Sequence, residues 1–332
     1  MRLRFAALLA LAAILLLPAA FAQAPSGGHA AAPNNPNAAK AYPRGDPALG
    51  PPVVTHHGIT VNGQRLDYTA TAGTLPVYTV ENHQRHLEAR MFFVAYTLDT
   101  HGAGPDRRPL TFSYNGGPGA ASVYVDIGGF GPRRVAMNVN GTMPSPPFHM
   151  VDNNQTWLPF TDLVFVDAIG TGYSRAVSPA MLKKASAVQG DIAAFGEFIR
   201  AYLLKYDRMS SPLFLAGESY GTFRSAGLAG YLDDHGIALN GVMLLSSVLN
   251  LETLDYAPGN DLPYVLYLPS LATVAWYHHK LSPQMEAEPV AEVARQAGDW
   301  ALNGYQQALD AGDQLQGAAR QAAIAKMAHF TG

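Results

Sequence analysis

The sequence predicts an α/β fold in which a mostly parallel sheet is covered by helices. Short apolar segments of strand length recur from about residue 53 onward, and segments with helical apolar spacing separate the later ones. Strands that alternate with helices are typical of parallel sheets. The chain has 332 residues, of which 48% are apolar, so it can bury a substantial core in one large or two ordinary domains.

The predicted strands begin with a hairpin. Residues 53–73 are rich in β-forming side chains, and Asn62-Gly63 interrupts them with a dipeptide that favours a two-residue turn. Apolar residues at successive positions of the later segments favour strands that are buried on both faces. These further strands are predicted at 90–98, 110–114, 163–167, 213–216 and 241–246.

Helices are predicted between the later strands and after them. Apolar residues recur at helical spacing from Val188 to Tyr202, and a second helix is predicted from about Tyr220 to Tyr231. After about residue 253 the strand pattern stops, and Ser282-Pro283 favours a helix start in a region rich in Ala, Gln and Glu. We therefore expect an α/β core over 53–252 and a helical segment over 253–332.

Residues 1–24 have the pattern of a secretory signal peptide. Arg2 and Arg4 precede an apolar run, and small residues that suit signal peptidase follow it, with cleavage favoured after Ala22. The run is shorter than the ~20 residues of a spanning helix, which makes a membrane anchor the weaker alternative. Residues 25–52 are rich in Pro, Ala and Gly and are interpreted as a linker. The sequence thus predicts an exported protein, periplasmic or extracellular, without stable membrane insertion after cleavage.

The charge composition excludes several classes of function. Lys and Arg number 22 against 25 Asp and Glu, which gives a net charge of -3 and no basic field for nucleic acid. Because the chain contains no cysteine, it has no disulfide, thiolate metal site or cysteine nucleophile. His56-His57 has no further ligands at metal spacing, and neither a metal nor another cofactor is predicted. The composition leaves the oligomeric state open.

The strongest chemical signal is the segment Gly217–Gly221, which reads GESYG. It follows a predicted strand and opens a predicted helix, which is the context of a nucleophile elbow, G-x-S-x-G. The two glycines let the backbone turn sharply, and the helix N-terminus stabilises negative charge beside Ser219. An ordinary glycine-rich turn is the alternative, and the strand and helix on either side favour the elbow.

A second glycine-rich segment, NGGPG at 115–119, directly follows the predicted strand 110–114. Adjacent glycines leave backbone N–H groups open to a ligand. Next to a nucleophile elbow, an oxyanion hole combines the N–H that follows the nucleophile with one from such a loop. Tyr220 and Gly117 are the candidate donors, and a tight turn without a ligand is the alternative.

Four segments resemble, in their order and approximate spacing, those of serine carboxypeptidases, in particular the bacterial branch that lacks cysteine. They are NGGPGAAS (115–122), FGP (130–132), LVFVDAIGTGYS (163–174) and GESYG (217–221). The resemblance covers about residues 53–270. It implies the α/β-hydrolase fold, with a central mostly parallel sheet and a helical cap insertion after the sixth strand. It also implies removal of C-terminal residues from peptides by a Ser-Asp-His triad.

The resemblance assigns roles to residues of the two glycine-rich motifs. Ser219 matches the family's nucleophile, and Gly117 and Tyr220 match its oxyanion donors. Asn115 and Glu218 match residues that hold the terminal carboxylate of the substrate, and Gly116 lies in the same substrate-binding loop. An ionised Glu218 repels that carboxylate, whereas a protonated one can donate a hydrogen bond to it, so we expect peptidase activity to favour acid pH.

The sequence departs from the family pattern at three positions. Gly129 stands where the family has a second glutamate that pairs with Glu218, and Ser113 stands where it has a tryptophan. Ala120 replaces a family cysteine. The missing glutamate keeps the choice between a strict exopeptidase and an esterase open.

No triad Asp or His is assigned in this chain. Hydrolases with this elbow place the acid and then the histidine after the serine, each following a later strand. Only one strand is predicted after Ser219, and we expect the missing strands and both partners beyond Gly332. Without a base, the serine hydroxyl is a weak nucleophile and activity is small. The acidic and basic candidates, interpreted as solvated or structural, are Asp233, Asp234, Asp255, Asp261, His235, His278, His279 and His329.

The predicted function is that of a serine-type carboxypeptidase acting on peptides through an acyl-enzyme on Ser219. One alternative is an esterase or another peptidase of the same fold. Lipases prefer an HGGG loop, which is absent, and proline-releasing aminopeptidases carry histidine where this chain has Asn115. A second alternative is a non-catalytic fragment or binding module that lacks the triad Asp and His.

Overall fold

A computed structural model describes residues 50–81, 83–100 and 108–332. The predicted signal peptide and nearly all of the predicted linker lie outside these residues. The chain divides into two compact units, Met1–Leu249 and Asn250–Gly332. Within the described residues, no helix is long and apolar enough to cross a membrane.

A mixed sheet organises the first unit. Its order is β1-β2-β3-β7-β4-β9-β10, with β8 paired to β3, and β5 and β6 form a separate ribbon. The strands are β1 (Val53–Val61), β2 (Gln64–Glu81), β3 (Gln84–Leu98), β4 (Leu110–Tyr114), β5 (Arg133–Val135), β6 (Met150–Asp152), β7 (Asp162–Val166), β8 (Arg175–Ala176), β9 (Leu213–Glu218) and β10 (Gly241–Leu245).

Parallel pairing is confined to the half of the sheet that carries the glycine-rich motifs. Strands β7, β4, β9 and β10 are parallel, and β4 and β7 are buried along their whole length. Strands β1, β2 and β3 are antiparallel, and β3 joins them antiparallel to β7. The predicted hairpin is confirmed, because Asn62 and Gly63 have φ values of 50° and 83° between β1 and β2. The α/β-hydrolase fold follows from this arrangement.

Helices of the first unit pack on the sheet. The predicted helices at 188–202 and 220–231 are confirmed as α3 and α4. The apolar face of α3, including Phe195 and Phe198, forms one core with Phe93 and Phe112 of the sheet. The helices are α1 (Val123–Val125), which continues as a π-helix over Asp126–Phe130, α2 (Pro179–Ala185), α3 (Val188–Lys205) and α4 (Tyr220–Asp234).

A buried ion network lies where the parallel strands begin. Asp162, the first residue of β7, accepts hydrogen bonds from Arg108 Nε at 2.9 Å and Arg208 Nη1 at 2.8 Å. Arg208 is only 3% exposed and also donates to the carbonyl of Arg108 at 3.0 Å. The glycine-rich motifs follow the opposite, carboxyl ends of β4 and β9. This network therefore stabilises the edge of the sheet opposite to the glycine-rich motifs.

The second unit is helical. It opens with a 3-10 turn, Leu251–Leu254, and its core joins Leu268 and Ala272 to Val293, Ala297 and Phe330. The predicted helix start is confirmed, since the Ser282 side chain accepts the Met285 N–H at the N-cap and Pro283 is the first helical residue. The helices are α5 (Leu262–Tyr277), α6 (Pro283–Glu286), α7 (Val290–Trp300), α8 (Gln306–Ala311) and α9 (Gly317–Thr331), with a π-helix over Ala301–Tyr305 and a 3-10 turn over Gly312–Gln314.

Candidate active site

Ser219 lies in a sharp turn between β9 and α4. Its φ of 57° and ψ of -125° are a strained conformation for a residue with a side chain. Both backbone groups are held, because its N–H donates to the Leu245 carbonyl at 2.9 Å and its carbonyl accepts the Thr222 N–H at 2.9 Å. Ser219 is the N-cap residue of α4, so its side chain stands beside the positive end of the helix dipole.

The glycines on either side of Ser219 are required by close backbone packing. A methyl group on Gly217 would lie 2.1 Å from the Gly221 carbonyl oxygen. One on Gly221 would lie 3.0 Å from the carbonyl oxygen of Tyr114. The two glycine positions therefore allow the turn to close on itself and to pack against the end of β4.

The loop after β4 lies directly against this turn. A methyl group on Gly116 would come within 2.4 Å of the Tyr220 nitrogen and 2.7 Å of the Glu218 carbonyl oxygen. Gly117 has a φ of 107°, which side chains rarely allow. Tyr220 is the first residue of α4, where an N–H has no acceptor within the helix. The structure thus packs Gly116, the residue before Gly117, against the Tyr220 nitrogen.

Asn115 fixes the geometry of this loop through four hydrogen bonds. Its N–H donates to Ser122 Oγ at 3.3 Å, and its carbonyl accepts from Arg224 Nη1 at 2.8 Å. Its side-chain Oδ1 accepts the Val125 N–H at 3.0 Å, while Nδ2 donates to Glu218 Oε2 at 3.0 Å. Since the acceptor is taken by a backbone amide, the side chain must present its donor to Glu218.

Arg224 and Asp191 form a buried ion pair beneath the loop. Arg224 Nε donates to Asp191 Oδ2 at 2.8 Å and Nη2 donates to Oδ1 at 3.1 Å. Arg224 is completely buried, and its guanidinium lies 4.2 Å from the centre of the Phe195 ring. Burial raises the pKa of Asp191, and the guanidinium opposes that rise. Sequence reasoning missed this pair, although an arginine in a helix otherwise rich in small residues was a usable signal.

Asp167, at the end of β7, holds two loops. Its Oδ1 accepts the Ser122 N–H at 2.8 Å, and Oδ2 accepts the Tyr173 N–H at 3.3 Å. Gly172 packs directly against this carboxylate. Burial raises the pKa of Asp167, while the two backbone hydrogen bonds lower it. Through these contacts Asp167 orders the two loops that carry Ser122 and Tyr173.

Asp126 is a buried carboxyl that sequence reasoning missed. The Tyr96 hydroxyl donates to its Oδ2 at 3.2 Å, and its Oδ1 has no hydrogen-bond partner among the described residues. Burial raises the pKa of Asp126 to about 7; the Tyr96 hydrogen bond opposes this and the charge of Asp167 adds to it. Asp126 begins the π-helix that follows Val125, whose N–H binds Asn115.

The structure gives the surroundings of the three residues that depart from the expected pattern. Gly129 lies in the π-helix, and a methyl group there would meet only the Tyr124 carbonyl oxygen, at 4.0 Å. The position therefore has room for a side chain. Ser113 is buried, and its Oγ has no hydrogen-bond partner within residues 50–81, 83–100 and 108–332. The Ala120 N–H donates to the Gly116 carbonyl at 3.1 Å.

The residues of the first unit that were considered as triad acid or base lie far from Ser219. His235 caps the far end of α4, and its Nδ1 lies 2.7 Å from the Tyr231 carbonyl. At 1.5 Å per residue, the helix separates His235 from Ser219 by about 24 Å. Asp233 and Asp234 occupy the same end. In the part of the chain that the structure describes, no hydrogen bond to Ser219 Oγ is formed, and no group of three or more His, Asp or Glu side chains could hold a metal.

The remaining candidates lie in the second unit. His279 Nδ1 is 3.0 Å from Glu286 Oε2 and is largely exposed. Asp255 caps the end of the 3-10 turn, and Asp261 and His278 flank α5 at its two ends. His329 lies in the last turn of α9.

Comparison with known proteins identifies the family. The sequence model described as serine carboxypeptidase matches residues 67–253, more than half of the chain. The chain belongs to the serine carboxypeptidase family. The match spans β4, β9 and the two loops that form the candidate site.

Curated proteins named as carboxypeptidases are similar to about half of this chain. Carboxypeptidase sxa2 of Schizosaccharomyces pombe is 26% identical over 180 residues, which cover 52% of this chain and 32% of the yeast protein. Serine carboxypeptidase-like 33 of Arabidopsis thaliana is 30% identical over 185 residues, 54% of this chain and 36% of the plant protein. The matches thus span about a third of the length of these relatives.

A solved structure of the family is also similar. The prohormone-processing carboxypeptidase Kex1 of Saccharomyces cerevisiae aligns with 79% of this chain and 53% of its own, at a TM-score of 0.48 and 18% identity.

Proposed function

We propose that this serine carboxypeptidase family member is a peptidase that removes C-terminal residues from peptides. Ser219 attacks the carbonyl of the last peptide bond, its hydroxyl proton passes through a general base to the amine of the departing C-terminal residue, and water then hydrolyses the acyl-serine. One observation carries the proposal: the strained turn presents Ser219 at a helix N-terminus, with Gly116 packed against the next N–H. The family and the names of the curated relatives support the same reaction.

The proposed oxyanion donors are the N–H groups of Gly117 and Tyr220. Charge develops on the carbonyl oxygen in the transition state, and fixed N–H donors aimed at that oxygen stabilise it. The close packing of Gly116 on the Tyr220 nitrogen supports this role, since it keeps the loop and the helix N-terminus adjacent.

The proposed site for the substrate carboxylate is formed by Asn115 and Glu218. The Nδ2 group of Asn115 has two N–H bonds, and Glu218 accepts one of them. The second can reach a ligand beside Glu218. When Glu218 is protonated, it adds a further donor, so we propose that peptides bind best at acid pH.

An esterase or another peptidase of the same fold is the second candidate. Gly129 favours it, because the space at this position holds no second carboxyl group that could help to recognise a free C-terminus. Such an enzyme would accept blocked and unblocked substrates alike.

For the chain as a whole, we propose export from the cytoplasm, with the mature protein periplasmic or extracellular. The proposed organisation is a signal peptide over 1–24, a linker over 25–52, a catalytic core over 53–252 and a helical cap over 253–332. The pattern of residues 1–24 supports this order. N-terminal sequencing of the mature protein tests it: we expect the sequence to start at Gln23, and a retained Met1 would contradict the proposal.

Labelling with a fluorophosphonate probe tests the nucleophile. In a protein that carries the triad Asp and His, we expect labelling at Ser219, as mapped by peptide mass spectrometry, and no labelling of Ser219→Ala; without these partners we expect Ser219 to react little. Substrate class is tested with N-blocked dipeptides and their C-terminal amides and esters. A carboxypeptidase prefers the free acid among the peptides, at acid pH. Equal turnover of acid and amide would favour the second candidate, and an unlabelled Ser219 would favour a non-catalytic module.

A further inference from the structure

Arg224 joins three elements that meet at the candidate site. It lies on α4, five residues after Ser219, and it is completely buried. Two of its nitrogens bind the carboxylate of Asp191 on α3, at 2.8 and 3.1 Å. Its third nitrogen donates to the Asn115 carbonyl at 2.8 Å. Few side chains can bind a carboxylate and a carbonyl at once, and the planar guanidinium is suited to it.

The hydrogen bond from Arg224 to the Asn115 carbonyl lies at the point where the chain leaves the sheet. Strand β4 pairs with β9 up to Tyr114, which lies opposite Gly217. Arg224 supplies the partner for the next carbonyl, that of Asn115. The direction in which the chain leaves the sheet at this point sets the course of Gly116 and Gly117. A hydrogen bond at Asn115 therefore acts on the loop that carries a proposed oxyanion donor.

The ion pair is held in place from several sides. Arg224 lies over the rings of Phe195, Tyr114 and Tyr220, with its guanidinium 4.2, 5.3 and 5.4 Å from their centres. Asp191 neutralises its charge and accepts from Nε and Nη2, which leaves Nη1 for the Asn115 carbonyl. The pair is thus a rigid, neutral unit, whose effect on the site is one of geometry.

Stability alone does not explain a buried pair of this kind. Apolar residues of similar volume often replace buried ion pairs without loss of stability, because removing two charges from water is unfavourable. The Arg208–Asp162 pair provides an internal comparison. It is equally buried and also reaches a backbone carbonyl, but it lies at the opposite edge of the sheet from Ser219.

We propose that Arg224, held by Asp191, is a positioning residue that fixes the loop at Asn115 and thereby the distance between the N–H groups of Gly117 and Tyr220. The inference rests on the proposed function, because those two groups are its oxyanion donors. Misplacement of catalytic groups by about 1 Å lowers rates on the order of 100-fold. We therefore expect loss of the Arg224 bond to lower kcat by about that factor, with little change in KM.

The test compares three variants of the full chain with the wild type. Arg224→Lys keeps the charge but loses the fork. The double variant Arg224→Met with Asp191→Leu replaces the pair by apolar side chains, so that no buried charge is left unpaired. Arg208→Lys is the matched control, since it disturbs an equally buried arginine at the far edge of the sheet.

Three properties are measured on each variant. They are stability by urea unfolding, kcat and KM on N-blocked peptides, and hydrogen exchange of the segment 115–121. We expect the double variant to regain wild-type stability while kcat stays about 100-fold low. Exchange of 115–121 rises at least about tenfold in both Arg224 variants, the effect of one lost hydrogen bond, and stays at the wild-type level in Arg208→Lys.

Hydrogen exchange and kinetics together separate failure of the inference from failure of the proposed function. Unchanged exchange of 115–121 in both Arg224 variants overturns the positioning role, as does a double variant with wild-type kcat. A protein that carries the triad Asp and His and still turns over no peptide contradicts the proposed function. In that case hydrogen exchange still decides whether Arg224 fixes the loop.

Discussion

Asn115 and Glu218 are joined by a hydrogen bond of 3.0 Å across the ends of two parallel strands. The orientation of the Asn115 amide is set by the Val125 N–H, which occupies its oxygen. An aspartate at position 115 would place a second acceptor against Glu218 in place of the donor. The bond therefore fixes which polar atoms face a ligand at this point.

We expect Asn115→Asp to raise KM for N-blocked dipeptides by about tenfold or more at pH 7, the effect of one charge-assisted hydrogen bond and added repulsion. Steady-state kinetics on a peptide and its C-terminal amide measure this. The amide is the control, because it carries no terminal carboxylate and its KM should rise much less. Equal increases for both substrates would contradict carboxylate binding at Asn115.

Glu218→Gln tests the expected preference for acid pH. Glutamine donates a hydrogen bond at every pH, so KM for N-blocked dipeptides should become flat between pH 4 and 8. In the wild type, we expect KM to be higher at pH 8 than at pH 4, because an ionised carboxylate at position 218 repels the substrate carboxylate. A wild-type KM that is already flat would show that Glu218 does not face the substrate.

Gly116→Ala tests the contact between the loop and the helix N-terminus. Its methyl group would lie 2.4 Å from the Tyr220 nitrogen, so loop and helix must separate. We expect kcat to fall by about 100-fold, the effect of a 1 Å misplacement. Gly230→Ala is the control: it lies on α4 with no atom within 4 Å of the added methyl group, and it should keep wild-type kcat. Similar losses in both variants would point to a general effect of added methyl groups.

Asp126→Asn should change how stability depends on pH. The pKa of Asp126 is about 7 in the folded chain and 3.8 for a free side chain. Between these values the unfolded chain has lost a proton that the folded chain keeps, so the free energy of unfolding falls as pH rises. The variant lacks this effect. Relative to the wild type, it should gain up to about 4 kcal/mol between pH 4 and pH 7.

Urea unfolding at several pH values measures the difference. Packing effects of the substitution do not depend on pH and cancel, as does the contribution from Asp191. Tyr96→Phe is the companion variant, since it removes the hydrogen bond that lowers the Asp126 pKa and should extend the fall in stability to higher pH. Parallel curves for wild type and Asp126→Asn would rule out ionisation of Asp126 in this range.

Gly129→Glu tests the departure from the family pattern. The position has room for a side chain. If a carboxyl group here shares a proton with Glu218, KM for free-acid dipeptides should fall at pH 5 and rise at pH 8 relative to the wild type. Amide substrates serve as the control. A KM that is unchanged at both pH values would place position 129 outside the substrate site.

Much of the fold could be predicted because its signals are local. The Asn62-Gly63 turn, the buried strand β4 and the helix α3 each depend on residues that are close in sequence. The length of β2 and β3 was not predicted. They run for 18 and 15 residues, but the first residues of β3 are exposed and polar, so they lack the apolar alternation that indicates a strand.

The two glycine motifs of the site could also be predicted from the sequence, because backbone packing requires the glycines at 116, 217 and 221. The buried ion pair that packs beneath these motifs could not be predicted. Arg224 meets Asp191 and Asn115 across 33 and 109 residues, and no periodic pattern in a single sequence indicates such a meeting. Asp126 was missed for the same reason, since its burial depends on Tyr96, 30 residues earlier.

The pairing of β4 with β9 also determines when the site can form. Asn115 and Glu218 are 103 residues apart, and nothing between them holds the two loops together until both strands join the sheet. Contacts of such long sequence separation form slowly, because a large loop must close first. A partly folded chain that has made its hairpins and helices therefore has no assembled site. The site should emerge in one late step of folding, which would keep the protein inert until its sheet is complete.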